Sequence, residues 1–176
     1  MPGRTLRAAF QAERRRVAMT DFTELYKKYA PDVFRFAMYL SGNRGEAEDI
    51  VSETFVRAWT APEPIAMATV KGYLLTIARN LFLQELRKRS RAVPLRDTIR
   101  DPRPGPEAET EKKAEYYAVM AGLQQLPELD RAALLMSAFE GMPYAEIARA
   151  LGISLAAVKM KIHRSRFALS RLEEPK

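Results

Sequence analysis

Two groupings in this sequence could do chemistry. One is a pair of carboxylates four residues apart, Asp49 and Glu53; the other is an acid-free basic run from Ser154 to Arg171. Residues four apart share a helix face, and paired carboxylates can serve acid–base catalysis. Such catalysis needs an apolar pocket and a second catalytic group, and neither accompanies this pair. Glu46, Glu48, Asp49 and Glu53 also fall at the start of a helix, where solvated acids suit the macrodipole without any ligand. The chain has one histidine, His163, and no cysteine. A Ser-His-Asp triad and a metal site of histidine or thiolate ligands are thus poorly supplied, and a disulfide framework is excluded. Neither a metal nor any other cofactor is expected. The chemistry that remains is recognition, and Lys159, Lys161, Arg164, Arg166 and Arg171 suit a polyanion.

The whole chain, 176 residues with a formal net charge of +7, supports that choice only bluntly. Residues 1–19 hold five arginines against one glutamate, more than half of the excess. Residues 20–90 net +1, residues 91–112 net zero and residues 113–176 net +2. The useful signal is where the cations sit, on one stretch near the C-terminus. No segment approaches the ~18 consecutive apolar residues of a membrane span, so no membrane insertion is expected. No apolar stretch follows Arg14 to Arg16 as a secretory signal would require, and a cytoplasmic location fits.

Elements that could position these groups follow from apolar spacing, which is helical almost throughout. Phe22, Leu25, Tyr29, Val33, Phe36 and Leu40 make one stripe, ended by Ser41-Gly42-Asn43. A second helix from about Glu46 turns Ala47, Ile50, Val51, Phe55 and Trp59 inward. Pro62 and Pro64 interrupt the chain. A third helix begins near Val70, with Leu74, Ile77, Ala78 and Leu81 on its core face. Ser90 to Glu111 is rich in proline and charge and reads as an extended linker. Helical spacing then resumes to the end. The expected fold class is all-α, with two small helical domains joined by a flexible linker. Its divisions are a basic extension over 1–18, domains over 19–90 and 113–174, and the linker over 91–112. Met19 reads as an alternative natural start.

Tyr144 to Ser154 spells a helix, a tight turn and a new helix start. Gly152 can take the left-handed conformation that closes a helix, and Ser154 can cap the next. With Leu155, Val158, Ile162 and Leu169 inward, this is helix-turn-helix spacing, the second helix suited to a major groove. Ala156, Lys159, Met160 and His163 then point outward, flanked by Arg164. Lys159 and Arg164 can hydrogen-bond guanine, while Lys161 and Arg166 suit phosphates. On the third helix, Tyr73, Thr76, Asn80 and Arg87 lie opposite the core face. A stacking ring, hydrogen-bonding groups and a cation on one stripe can hold unpaired bases and backbone. Tyr73 reads equally well as a packing residue, and Trp59 reads as core.

Taken together, Ala47-Glu48-Asp49-Ile50-Val51-Ser52-Glu53-Thr54-Phe55, Arg57-Ala58-Trp59, Ile77-Ala78-Arg79-Asn80, Leu126-Pro127 and Tyr144 to Arg166 resemble a known family. In this order and spacing the chain is similar to extracytoplasmic-function (ECF, Group IV) sigma factors of the sigma-70 family. The resemblance covers Asp21 to Arg89 as region two and Ala114 to Leu172 as region four. It implies a non-enzymatic factor that binds core RNA polymerase and promoter DNA. Asp49, Ser52 and Glu53 would contact the β′ clamp helices, and the β flap would be a further contact. Pro64 and Ile65, in the loop from Pro62 to Thr69, would capture a flipped base of the −10 element. Tyr73, Arg79, Asn80, Arg87 and Lys88 would hold the melted strand. Ser154, Ala156, Lys159, Met160, Lys161, His163, Arg164 and Arg166 would meet the −35 element. An anti-sigma factor is the family's usual further partner. The chain departs from the family at Ser52, commonly glutamine, which implies a weaker polymerase contact. It departs again at Ala156-Ala157, often Gly-Thr, and at Met160, often serine, which leaves the −35 preference open.

Two other functions compete. A stand-alone helix-turn-helix regulator would use only the C-terminal domain and leaves the acidic second helix and Arg79-Asn80 without a role. An enzyme acting on nucleic acid lacks metal ligands and a histidine acid–base pair.

Overall fold

A computed structural model describes residues 19–61, 69–92 and 111–173. Seven α-helices account for nearly all of them, and no strand occurs among the described residues. Helices α1 (Met19–Ser41), α2 (Arg44–Thr60) and α3 (Val70–Arg91) form the first half. Helices α4 (Glu111–Gln125), α5 (Glu128–Ala138), α6 (Tyr144–Leu151) and α7 (Leu155–Glu173) form the second. The expected basic extension and most of the expected linker lie outside the described residues. The described ends of the linker are helical, since α3 runs to Arg91 and α4 begins at Glu111.

The anticipated stripes bury themselves. Val33, Phe36, Leu40, Ile50, Phe55, Leu74, Ala78 and Leu81 form the core of the first half. Phe22 packs edge-on against Phe55 and Trp59 at its margin. The starts of α2, α3 and α7 follow side-chain caps. The Asn43 side chain accepts from Glu46 N at 2.9 Å, so α2 begins at Arg44, slightly ahead of the expected Glu46. Thr69 Oγ1 accepts from Gly72 N at 3.0 Å and starts α3. Gly152 ends α6 at φ 66°, and Ser154 Oγ accepts from Ala157 N at 3.1 Å to start α7.

The two halves do more than share a tether. Helix α5 packs on α1, and α6 packs on α3. A single apolar cluster runs through both halves, joining Leu40 and Leu74 with Leu135, Met136 and Ile147. Tyr39 of α1 stacks on Phe139, with centroids 4.9 Å apart, and Gln124 Nε2 donates to the Tyr39 carbonyl. The half-to-half packing changes the environment of α3. Every residue from Gly72 to Arg79 is buried, because α1 and α2 cover one side and α6 lies over the other. A helix covered all round loses the one-sided pattern that spacing alone suggests. The outward stripe expected on α3 is therefore outward only from Asn80 onward: Tyr73 is 3% exposed and Thr76 6%.

Candidate nucleic-acid interface

Helix α7 turns outward the residues its spacing suggested, but Leu155, expected inward, is 44% exposed at its first turn. Ser154, Ala156, Lys159, Met160, His163, Arg164 and Arg166 are exposed, and Met160 is 66% exposed. Val158, Ile162 and Ser165 hold the opposite side against α5 and α6. The capped turn at Gly152 and Ser154 fixes where α7 starts, which sets its rotation and so which residues face outward.

One position behind α7 organises the cations and is not visible in the motif. The Asp130 carboxylate of α5 is almost fully buried and receives Lys161 Nζ at 2.8 Å and the Arg164 guanidinium at 2.7 and 2.9 Å. Burial pushes this carboxyl up. The hydrogen bonds from Lys161 and Arg164, joined by their charges, outweigh that and hold it below the usual carboxylate range. Lys161, only 20% exposed at its side chain, is turned toward the protein, whereas Arg164 at 65% keeps an open edge to solvent. Lys159, His163 and Arg166 are exposed beside it.

On α2, Asp49, Ser52 and Glu53 share an exposed face with Val56, which is 52% exposed. Glu53 is paired with Arg57 at 2.7 Å, and Ser52 Oγ donates to the Glu48 carbonyl. Glu48, Asp49 and Glu53 are exposed, whereas Glu46 is only 8% exposed at its side chain and is paired with Arg89 of α3 at 2.7 Å.

On α3, Asn80, Arg87 and Lys88 are exposed, and Lys88 pairs with Glu85 at 2.6 Å. Arg79 is not open to solvent. Its Nε and Nη2 donate to the two oxygens of Glu128 at 2.8 and 2.9 Å, a two-pronged pair across the halves. Thr76 Oγ1 donates back to the Gly72 carbonyl at 2.7 Å. Pro64 and Ile65 lie outside the described residues.

Further charges meet across the same seam. Glu140, whose side chain is fully buried, accepts from Arg35 at 2.9–3.1 Å and from Lys71 at 3.0 Å. Asp32 joins them, 3.0 Å from Arg35 and 2.8 Å from Lys71. Burial works to lower the Lys71 ammonium, but its bonds to Asp32 and Glu140 prevail and hold it above the usual lysine range. Asp32 is held below the carboxylate range, as bonds and charges from Lys71 and Arg35 overcome its burial. Glu146 of α6 accepts from Thr69 N at 3.1 Å and Thr69 Oγ1 at 2.8 Å, at the N-terminus of α3. Sequence spacing had no signal for these groups, because Arg35 and Glu140 are 105 residues apart and Thr69 and Glu146 are 77.

Comparison with known proteins gives this architecture a family. The model of sigma-70 region 2 matches residues 25–92, and that of sigma-70 region 4 matches residues 117–169. The ECF RNA polymerase sigma factor SigL of Mycobacterium tuberculosis is 32% identical over 143 residues, which is 79% of this chain and 81% of that one. SigM of Bacillus subtilis is 30% identical, over 85% of this chain and 93% of its own length. SigE of Mycolicibacterium smegmatis is 37% identical over 90% of this chain, which spans 64% of that relative. The sigma factor RpoE of Bartonella quintana, solved in complex with the anti-sigma factor NepR, superposes with a TM-score of 0.70 at 25% identity. That match covers 88% of this chain and 97% of RpoE. The fold and its two matched regions are those of a sigma factor. The chain belongs to the ECF group of the sigma-70 family of RNA polymerase sigma factors.

Proposed function

We propose that this chain binds core RNA polymerase and directs it to promoters, catalysing no reaction itself. The observation that carries this reading is that one chain displays two exposed faces of opposite charge. Asp49, Ser52 and Glu53 lie on α2, and Lys159, His163, Arg164 and Arg166 lie on α7. A DNA-binding regulator needs only the second face.

In this reading α2 docks on the β′ clamp helices through its acids, with Val56 adding apolar area. Helix α7 enters the major groove of the −35 element, with Lys159 and Arg164 donating to guanine O6 and N7. Asp130 aims the Arg164 guanidinium by holding it from behind, so less freedom is lost when it binds a base. Lys161 serves mainly as the buried counter-ion of Asp130. Helix α3, with the loop before it, holds the opened strand of the −10 element through Tyr73, Arg79, Asn80, Arg87 and Lys88. Flipping a base from the stack costs a few kcal/mol, which the loop contacts must offset. The β flap is a second polymerase contact. An anti-sigma protein is the expected inhibitor; the Bartonella RpoE was solved with one, NepR. No helix among the described residues is long and apolar enough to cross a membrane, and the work proposed places the chain in the cytoplasm.

Transcription in vitro tests the proposal. Core polymerase given this chain should start at defined promoters, mapped by sequencing the 5′ ends. Core enzyme that stays unable to initiate would leave the regulator reading standing.

A further inference from the structure

Four acids lie between Pro127 and Gly152, and three of them reach across to the first half of the chain. Glu128 takes the Arg79 guanidinium with both oxygens. Glu140 takes Arg35 and Lys71. Glu146 takes the backbone N–H and hydroxyl of Thr69, the cap of α3. The fourth, Asp130, faces α7 instead.

The groups these three acids occupy are suited to phosphates. A guanidinium binds phosphate with two prongs, an ammonium binds it as a point charge, and a helix N-terminus is a ready anion site. From Thr69 to Arg79 they extend over ~15 Å of α3, the reach of a few nucleotides. Tyr73 and Thr76, on the same stretch of α3, are buried in this arrangement.

We propose that Glu128, Glu140 and Glu146 imitate the phosphodiesters of a DNA strand, so that the α5–α6 segment and the strand compete for Arg35, Lys71, Arg79 and the α3 N-terminus. The inference rests on the reading of α3 as the strand-holding helix. It adds Arg35 and Lys71 to that surface and makes the closed packing of the two halves self-inhibitory. Opening returns Glu140 and its cations to water, and their regained hydration offsets much of the lost pairing, so phosphates can compete for the cations.

The full chain is tested with two readouts. It has no cysteine, so Ser90→Cys and Ser170→Cys at exposed positions give a defined pair for fluorescence energy transfer between the halves. A fluorescein-labelled single-stranded DNA 15-mer, followed by anisotropy, reports strand binding. Glu128→Gln, Glu140→Gln and Glu146→Gln together should lower transfer and tighten the oligonucleotide about tenfold, the factor expected if about a tenth of the chain is open beforehand. Removing three acids also raises general affinity for DNA, so a charge-neutral opening is needed. Phe139→Ala supplies it: it removes the ring that stacks on Tyr39 across the seam, and at 41% exposed that ring is not part of the second half's own core. It should lower transfer and tighten binding in the same direction. Transfer that stays at the wild-type level in both variants overturns the proposal and leaves the strand-holding role intact. Lower transfer with no gain in oligonucleotide binding in Phe139→Ala overturns the proposal and the role of α3 as well.

Discussion

Arg79 of α3 and Glu128 of α5 meet in a two-pronged ion pair, Nε to Oε1 at 2.8 Å and Nη2 to Oε2 at 2.9 Å, across the seam between the two halves. Both side chains are largely shielded from water, 10% and 19% exposed, so the pair is less screened than a surface one. A double-mutant cycle should therefore register it. Arg79→Ala and Glu128→Ala in combination should depart from the sum of the single changes by ~0.5–3 kcal/mol in urea unfolding. Strict additivity would mean the contact is not populated in solution.

Helix α7 should separate base reading from support. Lys159→Ala removes an exposed cation and should cut −35 discrimination by ~1–3 kcal/mol without lowering the melting temperature. Lys161→Met should do the reverse, since that ammonium is spent on Asp130. Binding to promoter duplexes with single substitutions, measured beside thermal melts, distinguishes the two. Equal effects of both changes on base preference would reject the division.

Asp130 should make stability depend on acid. Its folded carboxyl titrates below its ordinary value of 3.8, as does that of Asp32. The stabilisation is therefore complete above 3.8 and is lost as pH falls through the lowered folded values. Urea midpoints taken from about pH 6 to about pH 2 should fall steeply at the acid end, and less steeply in Asp130→Asn. The variant should also be weaker at neutral pH, by less than the ~3–5 kcal/mol of a fully buried broken pair, because Arg164 remains largely wet. Identical slopes in the two proteins would show that Asp130 is not the group titrating.

The acidic face of α2 should matter for polymerase and little for folding. Asp49→Ala with Glu53→Ala removes two exposed acids and one surface ion pair worth ~0–1 kcal/mol. Competition for labelled core polymerase should show weaker binding with an almost unchanged melting temperature. Unaltered affinity would move the docking site elsewhere.

The turn before α7 depends on a left-handed residue. Gly152 has φ 66° with open space where a Cβ would stand, so substitution there costs backbone strain and not a clash. Gly152→Ala should destabilise by ~1–2 kcal/mol. Gly152→Asn should cost less, since asparagine tolerates that conformation. Chemical denaturation gives the order, and equal costs would count against strain as the cause.

The sequence alone determined what is local. Apolar spacing defined the all-helical class, and the Gly152–Ser154 turn was legible because a positive φ and a helix cap each demand particular residues within a few positions. The exposure of Lys159, Met160 and His163 followed from the same periodicity. What only the tertiary structure decided is which polar groups on those helices are open. Tyr73 and Thr76 sit on a face that spacing marks as outward, yet they are buried because a second half of the chain packs over that helix. Lys161 and Arg164 read alike as cations, and a buried Asp130 more than 30 residues away turns one inward and aims the other outward. Periodicity reports only a residue's own helix. Ion pairs between distant helices depend on how those helices cross, and no spacing within either one records that.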